Sequence, residues 1–165
     1  NLLINKIQDT VTTLNIGLGA EKGKLSFTKS LDANNHVATE NEQNTIEVPI
    51  EKFDNIIRIN TPTLVKIDVE GYEPAALKGA SQLLSDESLA AIIIELGTDR
   101  IEESHRTLLE QGFEPYDYEP FSRTLVERKA ALVSGNVLYL RRQQIAEIRL
   151  RCQEAISVHL HGLSV

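Results

Sequence analysis

The chain has 165 residues, 41% hydrophobic and 25% charged, with 24 acidic against 17 basic side chains and a net charge of −7. That is the composition and length of about one globular domain, and the acidic balance removes the electrostatic term on which nucleic-acid binding rests. The single cysteine, Cys152, excludes an intrachain disulfide, and the longest apolar run, 89 to 96, falls far short of the roughly 20 residues of a membrane span. With no signal-peptide pattern either, the expected location is cytoplasmic. Methionine is absent and Asn1 stands inside a helix-like stretch, so a preceding segment is expected.

In chain order, "NLLINKIQ" reads as the end of a helix and "TVTTLNIGLG" (10–19), rich in β-branched residues, as a buried strand closing on glycine. "GKLSF" (23–27) follows a turn signal and alternates, which predicts a hairpin-like partner. Residues 30–44 are polar and aperiodic, a loop long enough to act as a lid. "TIEVPIEKFDNII" predicts a strand, a proline boundary and a short helical turn.

"TLVKIDVE" (63–70) is the clearest strand, with Pro74 placed where the first turn of a helix tolerates proline. "LAAIIIEL" (89–96) is too continuously apolar for one wet face and predicts a strand covered on both sides. Ile101, Leu108 and Leu109 share one side of a helix that Gly112 can end. "FEPYDY" and "GNVLYLR" supply two last strands, giving an α/β sheet, largely parallel, with a late hairpin-like pair. From residue 142 the pattern changes: Ile145, Ile148, Cys152 and Ile156 repeat at helical spacing, so 142–165 reads as an amphipathic helical tail added to a domain of 1–141. Such a tail either packs on its own sheet or joins subunits into an oligomer.

The acidic residues of 68–73 carry the chemistry. In a parallel α/β sheet ligands sit beyond the carboxyl ends of the strands, where Asp68, Glu70 and Glu73 fall. Asp68 and Glu70 share a face if the strand stays extended. Glu73, at the helix entry, suits capping better than catalysis. An EF-hand is excluded, because counting from Asp68 puts Glu73 where glycine is needed and Gly79 where a bidentate glutamate is needed. Asp68, Glu70 and Glu95 could only form a hard-cation site that nothing specifies, and His36, His105, His159 and His161 lie far off, so no metal is expected. "GLGAEKG" lacks the third glycine and the following helix of a dinucleotide loop. His105 reads as the polar face of its helix.

Read together, "NIGLGAEKGKLSF", "IEVPIEKFDNI", "LVKIDVEGYEPAALKGA", "IIIELG", "LLEQGF" and "GNVLYL" resemble the FkbM family of S-adenosylmethionine-dependent O-methyltransferases, over about residues 1–140. The combination of "KIDVEG" with "LKGA" is the specific part. The resemblance implies a Rossmann-like class I methyltransferase sheet with an antiparallel C-terminal strand pair, here without its first two strands, plus the added C-terminal helix. It implies S-adenosylmethionine as cofactor, contacted by Gly17, Leu18, Gly19, Glu21 and Asp68, with Ala20 standing where the family carries an aspartate. It also implies that these residues alone lack the loop that holds the methionine end of the cofactor, so that the chain by itself is inactive. The implied substrate is a small hydroxylated molecule, such as a sugar or polyketide.

For methyl transfer to a hydroxyl, the acceptor oxygen must be aligned behind the methyl and must lose its proton. Asp68 or Glu70 is the best-placed base, Glu95 at the end of the next strand a third wall, and His36 a base or substrate contact if its loop folds over. The competing expectation is a non-catalytic module derived from such an enzyme, binding a partner through an open sheet edge or the tail helix.

Overall fold

The computed structural model describes residues 2–29, 36–39, 41–57, 61–97, 101–128 and 135–154, with the backbone of 159–160 and 163–164. Two sheets result. A small one has the order β1-β3-β2, from β1 (Gly17–Leu18), β2 (Gly23–Thr28) and β3 (Thr45–Glu51). A larger one has the order β4-β5-β8-β6-β7, from β4 (Leu64–Ile67), β5 (Ala91–Leu96), β6 (Phe113–Glu119), β7 (Thr124–Glu127) and β8 (Gly135–Arg141). Strands β4 and β5 are parallel, whereas β8 runs antiparallel to both β5 and β6, and β7 antiparallel to β6. The fold is mixed α/β, and the predicted late pair, β6 with β8, is antiparallel, though β7 intervenes in sequence and forms the hairpin with β6.

The predicted strand over 10–19 contracts to Gly17–Leu18, pairing parallel with Ile50 and Glu51. Residues 11–16 carry no regular structure, and Val11 and Leu14 are exposed. The helix end shrinks to one turn, α1 (Leu2–Asn5), with no buried residue. A strand needs a neighbour for its backbone groups, and among the described residues this segment meets β3 only from Gly17 to Gly19. The hairpin expected across the turn at 21–23 is corrected: β2 pairs antiparallel with the later β3 over six residue pairs, Gly23↔Ile50 to Thr28↔Thr45, and β3 stands between β2 and β1.

Helices α3 (Glu73–Lys78), α4 (Ser81–Ser85) and α5 (Ile101–Glu110) supply apolar side chains to the core on one face of the large sheet. Val65, Ile67, Ile92, Ile94, Leu96, Val137 and Tyr139 point into that core with Leu77, Leu84, Leu108 and Phe113. Burial alternates along β5, with Ile92, Ile94 and Leu96 buried and Ala91, Ile93 and Glu95 half-buried. The expectation of a strand covered on both sides is therefore corrected: within the described residues, only one face of β5 is fully covered.

Helix α5 ends at Gly112, which adopts φ +81°, the left-handed conformation that glycine takes without steric cost. Its core face is Leu108 with Ser104, while Leu109 stays 38% exposed. A 3-10 turn at 142–144 leads into α6 (Ile145–Gln153), which buries no residue fully but turns Ile145, Ile148 and Cys152 partly inward. The helix packs beside β7 and sets the Arg149 guanidinium 5.6 Å from the Tyr116 ring centroid. The tail helix is thus shorter than the pattern predicts. Ile156 lies outside the described residues, and beyond it β9 (His159–Leu160) pairs antiparallel with β10 (Leu163–Ser164).

Candidate functional site

Strand β4 ends at Ile67, so the condition for Asp68 and Glu70 to share a strand face is not met. Val69 turns back to pack on the core, and Glu70 takes φ +46°, followed by Gly71 at φ +86°. Two left-handed residues in succession reverse the chain, and a non-glycine there stores about 1–2 kcal/mol. Glu70 is exposed in that turn.

Glu73 is 4% exposed and its Oε1 accepts the Gly71 N–H at 3.0 Å. The carboxylate closes the turn ahead of α3 without capping the helix through its own N-cap residue, Tyr72. Pro74 occupies the first turn, as its missing N–H allows.

The residue that the sequence reading missed is Lys66. Its Nζ lies 2.5 Å from Asp68 Oδ2, and both side chains are open to solvent. The Lys66 ammonium is held above its ordinary range, first by the hydrogen bond to Asp68 and further by the charge of Glu95. An i, i+2 spacing on a strand signals this pair, since alternate side chains share a face. Glu95 lies on the same side of the neighbouring strand, half-buried, opposite Asn136 of β8. Lys66, Asp68 and Glu95 therefore gather at the carboxyl ends of the parallel pair β4–β5. Among the described residues no group of three His, Cys, Asp or Glu side chains could hold a metal ion.

Gly17, Leu18 and Gly19 are engaged in packing. Cβ atoms built on Gly17 and Gly19 would lie 2.5 and 2.7 Å from Ile50 side-chain atoms. The Gly19 N–H donates to the Glu51 carbonyl at 3.1 Å, and the Gly19 carbonyl lies so close to Gly79 that a Cβ there would overlap it. Leu18 packs on the core. With these groups committed, 17–19 does not fit a cofactor as an amide cradle, and no step is derived through that contact. Glu21 is exposed, 3.8 Å from Lys52 Nζ.

His36 is half-buried beside the Thr28 end of the β2–β3 ribbon, with Nε2 3.1 Å from Glu42 Oε1. Glu42 also accepts the Thr39 N–H at 2.7 Å and its hydroxyl at 2.9 Å, and these bonds hold its carboxyl below the usual range. Roughly 17 Å of ribbon, five residue steps, separates this end from the Gly23–Ile50 end that adjoins Gly19. His36 is thus bonded to Glu42, whereas Asp68 pairs with Lys66.

His105 is more than a polar-face residue. Its Nδ1 lies 2.7 Å from the hydroxyl of fully buried Tyr139. Burial lowers the His105 pKa and pushes Tyr139 up to about 12, so a neutral ring and a neutral phenol share this bond. The side chain of His159, and all of His161, lie outside the described residues.

Sequence comparison matches the Methyltransferase FkbM domain to residues 1–118. A curated relative, the hexuronic acid methyltransferase AglP of Haloferax volcanii, is 29% identical over 93 residues, 54% of this chain and 39% of the relative. The crystal structure of Methyltransferase FkbM from Methylobacillus flagellatus KT superposes with a TM-score of 0.50 at 19% identity, covering 84% of this chain and 32% of that one. The chain thus spans about two fifths of the length of the curated relative that it matches. With most of its length matched by the family profile and its fold shared with a solved member, the chain belongs to the FkbM methyltransferase family.

Proposed function

We propose that the complete protein is an S-adenosylmethionine-dependent O-methyltransferase acting on a sugar hydroxyl, and that this chain contributes the acceptor-activating half of its site. The observation that carries the reading is the Lys66–Asp68 pair with Glu95 at the carboxyl ends of β4 and β5, where parallel α/β sheets place ligands. The name of the Haloferax volcanii relative supports a sugar acceptor. The strand order β4-β5-β8-β6, with β8 reversed, is read as the second half of a class I methyltransferase sheet whose first strands lie outside this chain.

When bound, the cofactor supplies an already activated sulfonium methyl. What remains for this chain is to hold the acceptor and take its proton. Asp68 accepts the hydrogen bond of the acceptor hydroxyl and then the proton as the oxygen attacks. Lys66 fixes the carboxylate in place, so less orientation is lost on binding. Glu95 accepts a neighbouring hydroxyl. Replacing Asp68→Asn keeps the shape and removes the base, and kcat/KM is expected to fall about 10²- to 10⁴-fold with the KM for donor little changed. Radiolabelled methyl transfer by the complete protein measures this, and an unchanged rate would remove Asp68 from the role.

A second reading, an interaction module, draws on β4. This strand has β5 as its partner and a second edge unpaired among the described residues, with Leu64 53% exposed. Such an edge invites strand addition. Calorimetric titration of the complete protein with S-adenosylmethionine separates the two, because the module reading expects no heat of binding.

A further inference from the structure

Strand β6 is antiparallel to β8, which is antiparallel to β5, so β6 rises toward the same end of the sheet as Glu95. Its register places Tyr116 opposite Leu138, while β8 begins at Gly135 opposite Leu96. Glu119 therefore reaches the level of Leu96, and the turn joining β6 to β7 stands beyond it. At its tip Phe121 is 98% exposed, with Tyr118 45% exposed below it.

Two charged residues stand two positions either side of Phe121 in the turn, Glu119 and Arg123. Glu119 Oε1 accepts the Phe121 N–H at 3.2 Å, which leaves its other oxygen available. Arg123, in the left-handed region at φ +52°, is anchored by a 3.0 Å bond from Nη1 to the Glu154 carbonyl, and no carboxylate pairs with it among the described residues. An aromatic face, a carboxylate acceptor and a guanidinium donor together make the chemistry that recognises a saccharide. The C–H face of a pyranose carries partial positive charge toward the negative face of the ring, and its hydroxyls bond the two charged groups. From β5 to β6 is two strand spacings, roughly 10 Å, too far for the sugar held at Asp68 and Glu95 to touch Phe121 itself.

We propose that the β6–β7 tip is a second sugar subsite, so that the acceptor is an oligosaccharide whose neighbouring ring stacks on Phe121 between Arg123 and Glu119. The proposal rests on the sugar-methyltransferase reading and narrows it from a monosaccharide to a glycan. The chain has no tryptophan, so Phe121→Trp adds a reporter at the site, read as the difference from the parent protein.

The emission of that variant of the complete protein is titrated with glucuronic acid and with a glucuronate-ended trisaccharide. The trisaccharide should change the emission saturably at a concentration at least about tenfold below the monosaccharide. Adding Arg123→Gln should raise its half-saturation about tenfold, the loss of one charge-assisted hydrogen bond. In methyl-transfer assays Phe121→Ala should raise KM for the trisaccharide and leave that for the monosaccharide unchanged. Emission that ignores the trisaccharide, or responds equally to both sugars, overturns the subsite even if methyl transfer is found. Absence of methyl transfer to either sugar overturns the reaction instead, and saturable emission in that case upholds the subsite.

Discussion

At position 79 the sequence shows one more glycine, and only the neighbouring backbone explains it. The "LKGA" glycine ends α3 where the Gly19 carbonyl approaches, and its own carbonyl accepts the Asp54 N–H at 3.1 Å. A methyl group at Gly79 cannot be absorbed by rotating a side chain, because backbone stands in the way. Gly79→Ala should cost about 3 kcal/mol, the upper part of the range for overpacking, read as a lowered urea midpoint with unchanged slope. His105 carries a pH prediction. Its folded pKa lies below the ordinary value of 6.5, so the unfolded chain takes up the proton first. The contribution is fully present above about pH 6.5 and is lost as pH falls from there toward the lowered folded value. His105→Gln, which keeps an acceptor for Tyr139, should make the urea midpoint less sensitive to pH between 7.5 and 5.5 than in the parent chain. Neither the Gly19–Gly79 contact nor the Tyr139–His105 bond is legible in the sequence, since the partners lie 60 and 34 residues apart.

Among the elements, strand β4 is long enough to be recognised from its apolar run and too short to carry either acid. The turn formed by Glu70 and Gly71 ends it, and a positive φ at a glutamate leaves no signature in composition. Helix α4 shows the same limit from another side. It begins without a side-chain cap of its own, yet Asp54, after β3, accepts the N–H groups of Gln82 at 2.9 Å and Leu83 at 3.0 Å and the Ser81 hydroxyl at 3.3 Å. The unsatisfied donors of the first turn are met from a residue 27 positions upstream of Ser81. Asp54→Ala should therefore destabilise by about 1–2 kcal/mol, as lost N-caps do, and Asp54→Asn by less, both from equilibrium urea unfolding. Helix α2 (Phe53–Ile56) carries Asp54 into place, and its Phe53 packs on the core. The expected helical turn in "EKFDNII" was legible; its use as a cap for another helix was not.

Across the whole molecule, Arg141 joins parts that the sequence keeps distant. At the end of β8 it is 4% exposed, and it donates Nε to the Leu89 carbonyl at 2.8 Å and Nη2 to the carbonyls of Leu84 and Asp86 at 2.9 and 2.8 Å. Its guanidinium lies 4.3 Å from the Phe113 ring centroid. Burial lowers its pKa, opposed by the charges of Glu87 and Asp86. Arg141→Met fills the space and strands these carbonyls, so a loss of about 2–4 kcal/mol is expected, seen as a lower thermal midpoint. Arg141→Lys should recover only part of it, since an ammonium cannot span the same acceptors in one plane. The sequence by itself determined the mixed α/β class, strands β4, β5, β6 and β8, the helix stop at Gly112 and the family, because alternation, helical periodicity, turn residues and a local motif are all short-range properties. The tertiary structure alone decided that β2 pairs with β3 and β7 with β6, that one face of β5 stays half-buried among the described residues, that Gly17 to Gly19 are spent on packing, and that Lys66 rather than Glu70 stands beside Asp68. Each of these depends on which backbone lies opposite, and a chain reveals that only when it closes on itself.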